Sequence, residues 1–168
     1  MQVAAEKAKE VLTQGDIREF VCFKLADEEY ALDITNVQEV VRVPRITPVP
    51  QMPEFCLGVI NIRGSIMPVF DLRKKFHLDV KEFDAKTKIL VVIVDGVMIS
   101  LVVDEVLEKL KLNAAAVDPA PIIKMKMEKE AVEGIGKVNG RMIVILFLPK
   151  IHEAIKLDIS RFSTAAAV

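Results

Sequence analysis

The second half of this chain repeats the apolar pattern of its first half. Segment 20–23 and Val37 are matched, 69 residues further along, by segment 89–92 and Val106. A second group of positions recurs after 76 residues, which places one seven-residue insertion between Leu107 and Glu130. This group pairs Gly58, Ile62, Gly64, Ile66, Val69 and Leu72 with Gly134, Val138, Gly140, Met142, Ile145 and Leu148. The shared order indicates two copies of one β unit. A protein that is built from a duplicated β unit and lacks catalytic motifs is more often a binding scaffold than an enzyme.

The composition favours a well-packed protein without affinity for nucleic acid. Hydrophobic residues make up 52% of the 168 residues, which is enough for one domain or for two small subdomains that share a core. The 23 Lys and Arg residues nearly balance the 24 Asp and Glu residues, so the net charge is −1. Binding to nucleic acid usually requires a clear excess of basic residues, and we therefore expect no nucleic-acid partner.

The sequence predicts a cytoplasmic protein without a metal, cofactor or catalytic site. No apolar run reaches the ~18–20 residues that a membrane span requires, and residues 1–16 lack the apolar region of a signal peptide. Cys22 and Cys56 lie in separate apolar segments, which favours buried thiols over a disulfide or metal pair. His77 and His152 have no ligand partners at metal-binding spacing, and nucleotide-binding and hydrolase motifs are missing.

Short apolar segments separated by tight turns predict a mainly all-β fold of small barrels or sandwiches. Asp95-Gly96 and Asn139-Gly140 suit two-residue hairpin turns, and Arg63-Gly64 is a further turn. The predicted strands are 19–25, 30–34, 55–62 and 65–71 in the first copy, and 89–94, 97–103, 131–138 and 141–148 in the second.

Short helices are predicted between and after these strands. Asp33 is a suitable cap for a helix over 34–41, in which the apolar residues recur at helical spacing. The proline-rich segment that follows excludes a helix or a central strand. The other predicted helical segments are 104–110, 72–76 and, after Pro149 in its first turn, 150–155 or beyond.

Segments 91–94 and 143–146 are almost continuously apolar, as expected of strands that are buried on both faces. Packing two barrels against each other would cover the second face and create a central apolar layer. We therefore divide the chain into a helix-like extension at 1–16, a first β-barrel subdomain at 17–85, a second at 86–157 and a C-terminal tail at 158–168.

Two charged residues stand out because of their apolar surroundings. Glu39 lies beside Val37 in the segment after the first hairpin, and Arg63 lies in a turn within a very apolar stretch. Both residue types are common as solvated turn or cap residues. They also suit the rim of an apolar groove that binds another protein.

Several segments together match one family. They are EEYALDI at 28–34 with VQEV at 37–40, GVINIRG at 58–64 with PVFDLR at 68–73, and VVDEV at 102–106 with GIG at 134–136. In these segments, over about residues 17–157, the chain resembles the CheW family of chemotaxis coupling proteins. The combination is highly specific, whereas an isolated N-x-R-G would be a weak match.

The resemblance implies two SH3-like five-stranded β-barrels packed around a shared apolar core, with short helices. It also implies a non-catalytic adaptor that links the cytoplasmic tips of methyl-accepting chemoreceptors to the histidine kinase CheA and helps to assemble the receptor array. Members of the family bind the receptor tip in a groove between the barrels and the regulatory domain of the kinase through barrel ends. Such a protein is associated with the membrane through its partners, without inserting into it.

The resemblance also implies site residues. Val37, Glu39, Gly58 and Arg63 match positions important for receptor and kinase coupling, and Glu39 and Arg63 are our strongest candidates. Further candidates for the apolar groove are Leu32, Val102 and Val103.

Three alternatives stay open at this point. In the first, the chain is the regulatory domain of a kinase or of a receiver-containing adaptor. Its start at Met1 and its lack of ATP-site and receiver motifs favour a free-standing protein instead. It is a coupling protein of a non-flagellar chemosensory system. Or it is a small-ligand-binding or hydrolytic β-barrel, which a bound ligand or metal in purified protein would support.

Overall fold

The computed structural model describes residues 17–119 and 131–166, with side chains through residue 162. The predicted extension at 1–16 lies outside the described residues. The described strands are β1 (Ile17–Leu25), β2 (Glu28–Asp33), β3 (Val37–Arg42), β4 (Cys56–Ile62), β5 (Ser65–Asp71), β6 (Lys88–Val94), β7 (Val97–Val103), β8 (Glu105–Asn113), β9 (Val117–Asp118), β10 (Val132–Val138) and β11 (Arg141–Leu146). The described α-helices are α1 (Leu72–Lys75) and α2 (Leu148–Ala166), and 3-10 turns cover Ile34–Asn36 and Ala114–Ala116.

The three hairpin turns predicted from the sequence are confirmed. Both residues of each turn, Arg63-Gly64, Asp95-Gly96 and Asn139-Gly140, have positive φ angles. This backbone geometry matches the right-handed twist of the paired strands. Each turn therefore fixes the register of its hairpin.

Hydrogen bonding arranges the strands in two sheets, in the orders β8-β1-β2-β11-β10-β9 and β3-β6-β7-β5-β4. The first and last strands of each sheet are also connected to each other. The 3-10 turn Ala114–Ala116 connects β8 to β9, and Thr47, after β3, exchanges two backbone hydrogen bonds of 2.9 Å with Val59 of β4. Each sheet thus closes on itself, and we name the two the β1 barrel and the β6 barrel. The mainly all-β fold with two barrels is confirmed.

Each barrel contains strands from both copies of the repeat. The β1–β2 hairpin lies in one barrel with β8, β10 and β11, and the β6–β7 hairpin lies in the other with β3, β4 and β5. The predicted boundary between residues 85 and 86 therefore divides the two copies of the repeat, but strands from both sides of it form each barrel. A repeat identifies equivalent strands, but it does not specify the copy in which each strand finds its hydrogen-bonding partner.

Alternate residues of the apolar strands face different cores. In β6, Leu90 and Val92 belong to a core shared by the two barrels, whereas Ile89 and Val91 face the interior of the β6 barrel. In β11, Val144 and Leu146 belong to the shared core, whereas Ile143 and Ile145 face the interior of the β1 barrel. The predicted central apolar layer is confirmed.

Two segments predicted as helices are strands. After Asp33, whose side chain accepts a hydrogen bond from the Thr35 N–H, the helical geometry ends at Asn36, and β3 pairs with β6. Along β3 half-buried and exposed residues alternate, which is the period of a strand. Segment 104–110 is likewise not helical, because β8 pairs with β1 over most of its length. β-Branched valines favour the extended backbone at both places.

The closing helix extends well beyond residue 155, so the described part of the predicted tail at 158–168 is helical. Helix α2 continues through Ala166. Leu148, Ile151 and Ile155 pack into the shared core, and the Lys75 Nζ donates a 2.6 Å hydrogen bond to Asp158 of α2. These contacts hold the helix beyond the point where the apolar pattern alone ends.

A buried charge cluster connects the ends of several strands. The Arg73 guanidinium donates to both carboxylate oxygens of Asp71, each at 2.9 Å, and to Asp104 Oδ1 at 2.7 Å. The other oxygen of Asp104 accepts a hydrogen bond from the Ala26 N–H in the β1–β2 turn. Arg73 and Asp71 are 1% exposed and Asp104 is 3% exposed. The cluster, which we call the Arg73 cluster, therefore links α1 and β5 to the β1–β2 hairpin in the other barrel.

The buried imidazole of His152 is expected to make folding stability depend on pH. Burial, with a smaller contribution from Lys156, lowers the pKa of His152 below its ordinary value, and Asp95, at 3.8 Å, opposes this only in part. Below about pH 6.5 the unfolded chain therefore binds a proton that the folded protein does not, and stability falls as the pH drops, by up to ~1.4 kcal/mol per pH unit.

Urea unfolding between pH 7.5 and pH 5.5 measures this effect. We expect His152→Leu to lose less stability than the wild type over that interval, by up to about 1.4 kcal/mol. His77→Asn, at an exposed position, is the matched control and should behave as the wild type does. Equal losses in the wild type and His152→Leu would contradict the assignment.

Candidate functional site

A groove of about 340 Å³ lies between the two barrels. One wall is formed by β3 with the 3-10 turn before it, and the other by β8. Both walls are the third strand of their copy of the repeat. The apolar residues that line the groove are Val21, Ile34, Val37, Val40, Val106 and Leu107. We call these apolar residues the floor of the groove; the same strands also contribute charged lining residues.

The structure brings the two predicted charges together at the edge of this groove. The Arg63 Nη2 donates a 2.9 Å hydrogen bond to Glu39 Oε2. Glu39 lies on β3 and lines the groove, and Arg63 reaches it from the β4–β5 turn. Asn61 helps to hold this turn, because its side-chain oxygen accepts a 2.9 Å hydrogen bond from the Gly64 N–H. The Arg63 side chain is 80% exposed and that of Glu39 is 25% exposed.

Val37 connects the groove to the shared core. Its side chain lines the groove and also packs against core residues. It lies opposite Val92 in the β3–β6 ladder, next to an irregularity in the register between Val37 and Glu39. Both Val37 and Glu39 line the groove.

Gly58 lies away from the groove, at the closure of the β6 barrel. Its φ angle is +139°, and a Cβ at this position would lie 2.1 Å from the carbonyl oxygen of Thr47. Gly134, its repeat partner, takes the same place in the β1 barrel, where a Cβ would lie 2.7 Å from the carbonyl oxygen of Asp118. Both glycines therefore permit the close backbone approach that closes a barrel.

The three apolar groove candidates are core residues. Leu32, Val102 and Val103 are each 0% exposed, Leu32 and Val103 in the shared core and Val102 in the β6 barrel. They do not line the groove, so their assignment to it is wrong. The most apolar strands of the sequence are the ones buried on both faces. The groove is lined instead by residues of strands with mixed composition. The repeat carried a signal for one of them, since Val106 is the partner of Val37.

The two cysteines of the described residues are not activated as nucleophiles. Burial raises the pKa of the Cys22 thiol to about 11 and also raises that of Cys56, which disfavours the nucleophilic thiolate. Within 17–119 and 131–166, no cluster of three or more His, Cys, Asp or Glu side chains is arranged to hold a metal ion. In the same part of the chain, no helix combines the length and apolarity needed to cross a membrane.

A comparison with known protein families identifies the family of this chain. The family model of the CheW-like domain matches residues 19–156. The chain belongs to the CheW-like family. This confirms the resemblance found in the segments around Leu32, Glu39 and Arg63.

Individual CheW proteins are similar to this chain over most of its length. The chemotaxis protein CheW of Klebsiella aerogenes is 34% identical over 134 residues, which cover 80% of this chain and 81% of the relative. The chemotaxis protein CheW of Thermotoga maritima is 34% identical over 137 residues, 82% of this chain and 89% of the relative. The crystal structure of the scaffolding protein TtCheW from Thermoanaerobacter tengcongensis superposes with a TM-score of 0.73 at 38% identity, covering 78% of this chain and 84% of that one.

Proposed function

We propose that this CheW-like protein is a non-catalytic chemotaxis adaptor that couples the cytoplasmic tips of chemoreceptors to the histidine kinase CheA. The observation that carries the proposal is the groove between the barrels, with an apolar floor and the Glu39–Arg63 pair at its edge. The names of the relatives, chemotaxis and scaffolding proteins, support this function over a small-ligand-binding barrel. In this role the protein works in the cytoplasm and joins the membrane-bound array through its partners.

The chemistry of the groove suits a helical segment of a receptor tip. Apolar side chains of such a helix would cover Val37, Val40 and Val106, with a gain of ~25 cal/mol for each Å² removed from water. The Glu39–Arg63 pair would fix the register of the helix by its charges. An ion pair as exposed as this one contributes at most about 1 kcal/mol to folding, so a role in recognition explains it better than a role in stability.

The proposed kinase contact is at a barrel end. Ile66 follows the turn that contains Arg63 and is 72% exposed, so an apolar side chain and a cation lie close together at this end of the β6 barrel. An apolar residue surrounded by polar ones is a common arrangement in surfaces that bind other proteins. The regulatory domain of CheA is the partner we assign to it.

Reversing the charge of Glu39 is expected to weaken receptor binding without unfolding the protein. In Glu39→Lys the new cation faces Arg63 and any basic group of the partner, and we expect the Kd for a receptor-tip fragment to rise about tenfold. The thermal midpoint should change by less than about 2 °C, because the position is partly exposed. Isothermal titration calorimetry and a thermal melt measure the two quantities.

Glu19→Lys is the matched control for this experiment. Glu19 lies on β1 and is paired with Lys111 at 3.7 Å, outside the groove. It should bind the receptor tip as the wild type does. A Glu39→Lys protein that binds normally, or one that is unfolded, would count against the assignment of Glu39. A folded wild type that binds neither partner would count against the adaptor function itself.

A further inference from the structure

The β4–β5 turn has an arginine at a backbone position that suits other residue types. The first residues of the three glycine-containing hairpin turns, Arg63, Asp95 and Asn139, have φ angles of 51°, 51° and 49°. This left-handed backbone brings Cβ close to the following carbonyl oxygen, which is unfavourable for most residues. Asn and Asp tolerate it best among residues with a side chain, and they are the preferred first residues of such turns. Arg63 therefore makes its turn less stable than Asn or Asp would.

A side-chain hydrogen bond across the same turn offsets this cost. The Asn61 Oδ1 accepts a 2.9 Å hydrogen bond from the Gly64 N–H, and the bond encloses Arg63. In the other two turns the residues at the position of Asn61 are Ile93 and Lys137. Neither side chain has an oxygen that could accept such a bond. The acceptor thus accompanies the arginine and is replaced where Asp or Asn begins the turn.

Folding alone does not explain an arginine at this position. The Arg63 side chain is 80% exposed, and an ion pair as exposed as the one with Glu39 contributes little to stability. Backbone strain that the fold does not require points to a use for the side chain itself. Ile66, which is 72% exposed, lies directly opposite Asn61 in the β4–β5 ladder. The turn thus presents a cation and an apolar side chain at the surface to which we assign the kinase.

We propose that Asn61 is a positioning residue for partner binding, because its hydrogen bond to Gly64 offsets the left-handed backbone of Arg63 and holds the guanidinium beside Glu39. This inference rests on the proposed function and adds to it a residue that acts through Arg63. The physical advantage is preorganisation, since a turn that is already ordered does not lose conformational freedom when the regulatory domain of CheA binds. An arginine on a loosened turn would have to be ordered during binding, at a cost in affinity.

Asn61→Ala, Arg63→Ala and the double variant test the proposal in the full chain, with the regulatory domain of CheA as the probe in titration calorimetry. We expect the Kd to rise about fivefold in Asn61→Ala, as for one lost hydrogen bond, and about tenfold in Arg63→Ala. Adding Asn61→Ala to Arg63→Ala should change the Kd by less than about twofold, because no guanidinium is left to position. The thermal midpoint, in contrast, should fall equally in both backgrounds. A merely structural role would lower the midpoint without making the change in Kd depend on Arg63.

The second copy of the repeat allows the compensation to be tested in the other barrel. Asn139→Arg places an arginine at the equivalent left-handed position without the acceptor, and it should lower the thermal midpoint by about 2–4 °C. Adding Lys137→Asn supplies the acceptor and should recover about half of that loss or more. Lys137→Asn alone is the matched control and should melt close to the wild type, because Asn139 already suits the turn.

The outcomes separate this inference from the adaptor function. If Arg63→Ala weakens binding while Asn61→Ala binds as the wild type does, or if Asn61→Ala weakens binding equally in both backgrounds, the positioning role is refuted and the adaptor function stands. If Lys137→Asn recovers none of the loss in Asn139→Arg, the acceptor does not offset an arginine in the turn and the proposal also fails. If the folded wild type does not bind the regulatory domain, the proposed function fails together with it.

Discussion

Replacing Gly58 with alanine should destabilise the protein by about 3–5 kcal/mol, a cost that few single substitutions reach. The methyl group would lie 2.1 Å from the Thr47 carbonyl oxygen and 2.9 Å from Pro48 Cα, and all these atoms belong to the backbone. The backbone can relieve such an overlap only by separating β4 from the Thr47 segment, whose hydrogen bonds with Val59 close the β6 barrel. Chemical denaturation monitored by circular dichroism measures the loss.

Gly64→Ala is the matched control for this prediction. Gly64 also has a positive φ angle, +86°, but a Cβ there would meet no atom within 4 Å. Its cost is the left-handed backbone alone, about 1–2 kcal/mol. Equal losses at Gly58 and Gly64 would show that the close approach to Thr47 does not hold the barrel closed. If the prediction holds, weak partner binding by a Gly58 variant reports damaged folding rather than a lost contact.

Arg73→Met is the second substitution with a large expected effect, a loss of about 3–5 kcal/mol. Methionine fills much of the same space but leaves the carboxylates of Asp71 and Asp104 buried without their cation. The Lys81 carbonyl oxygen also loses the hydrogen bond that it accepts from Arg73, at 2.9 Å. Removing one member of a buried ion pair is costly because the remaining charge cannot reach water.

Two further variants test the cause of this loss. Lys150→Met breaks an exposed pair with Glu153 and should cost less than about 0.5 kcal/mol. Adding Asp71→Asn and Asp104→Asn to Arg73→Met removes the stranded charges and should recover part of the stability. An Arg73→Met protein as stable as the wild type, or a triple variant less stable than Arg73→Met alone, would show that buried charge is not the origin of the effect.

The strands and turns of this fold could be predicted because two local signals agreed. Short apolar runs ended at Asp-Gly, Asn-Gly and Arg-Gly dipeptides, and positive φ angles occur at each of them. The segment at 34–41 was mistaken for a helix because valines spaced by three and four residues suit both a helical face and a half-buried strand. The pairing with β6 decides between them, and it is a long-range contact that a local pattern does not contain.

The candidate site was predictable in its charges and in Val37, but not in its other apolar residues. Glu39 and Arg63 stood out because charge is rare in such apolar segments, and they form one ion pair. Leu32, Val102 and Val103 were poor choices because strong apolarity indicates a core rather than a surface. Glu108 also lines the groove but was not singled out, although the repeat relates it to Glu39, because charged residues are frequent in segment 104–111.

The exchange of hairpins between the two copies has a mechanical consequence. Because β2 pairs with β11 and β7 with β5, neither copy of the repeat can separate from the other without breaking strand pairing in both barrels. The shared core and the hydrogen bonds of the Arg73 cluster also join the two barrels, so β3 and β8 stand at a fixed spacing. A force on either strand is therefore passed to the other barrel as a rigid displacement of the whole body.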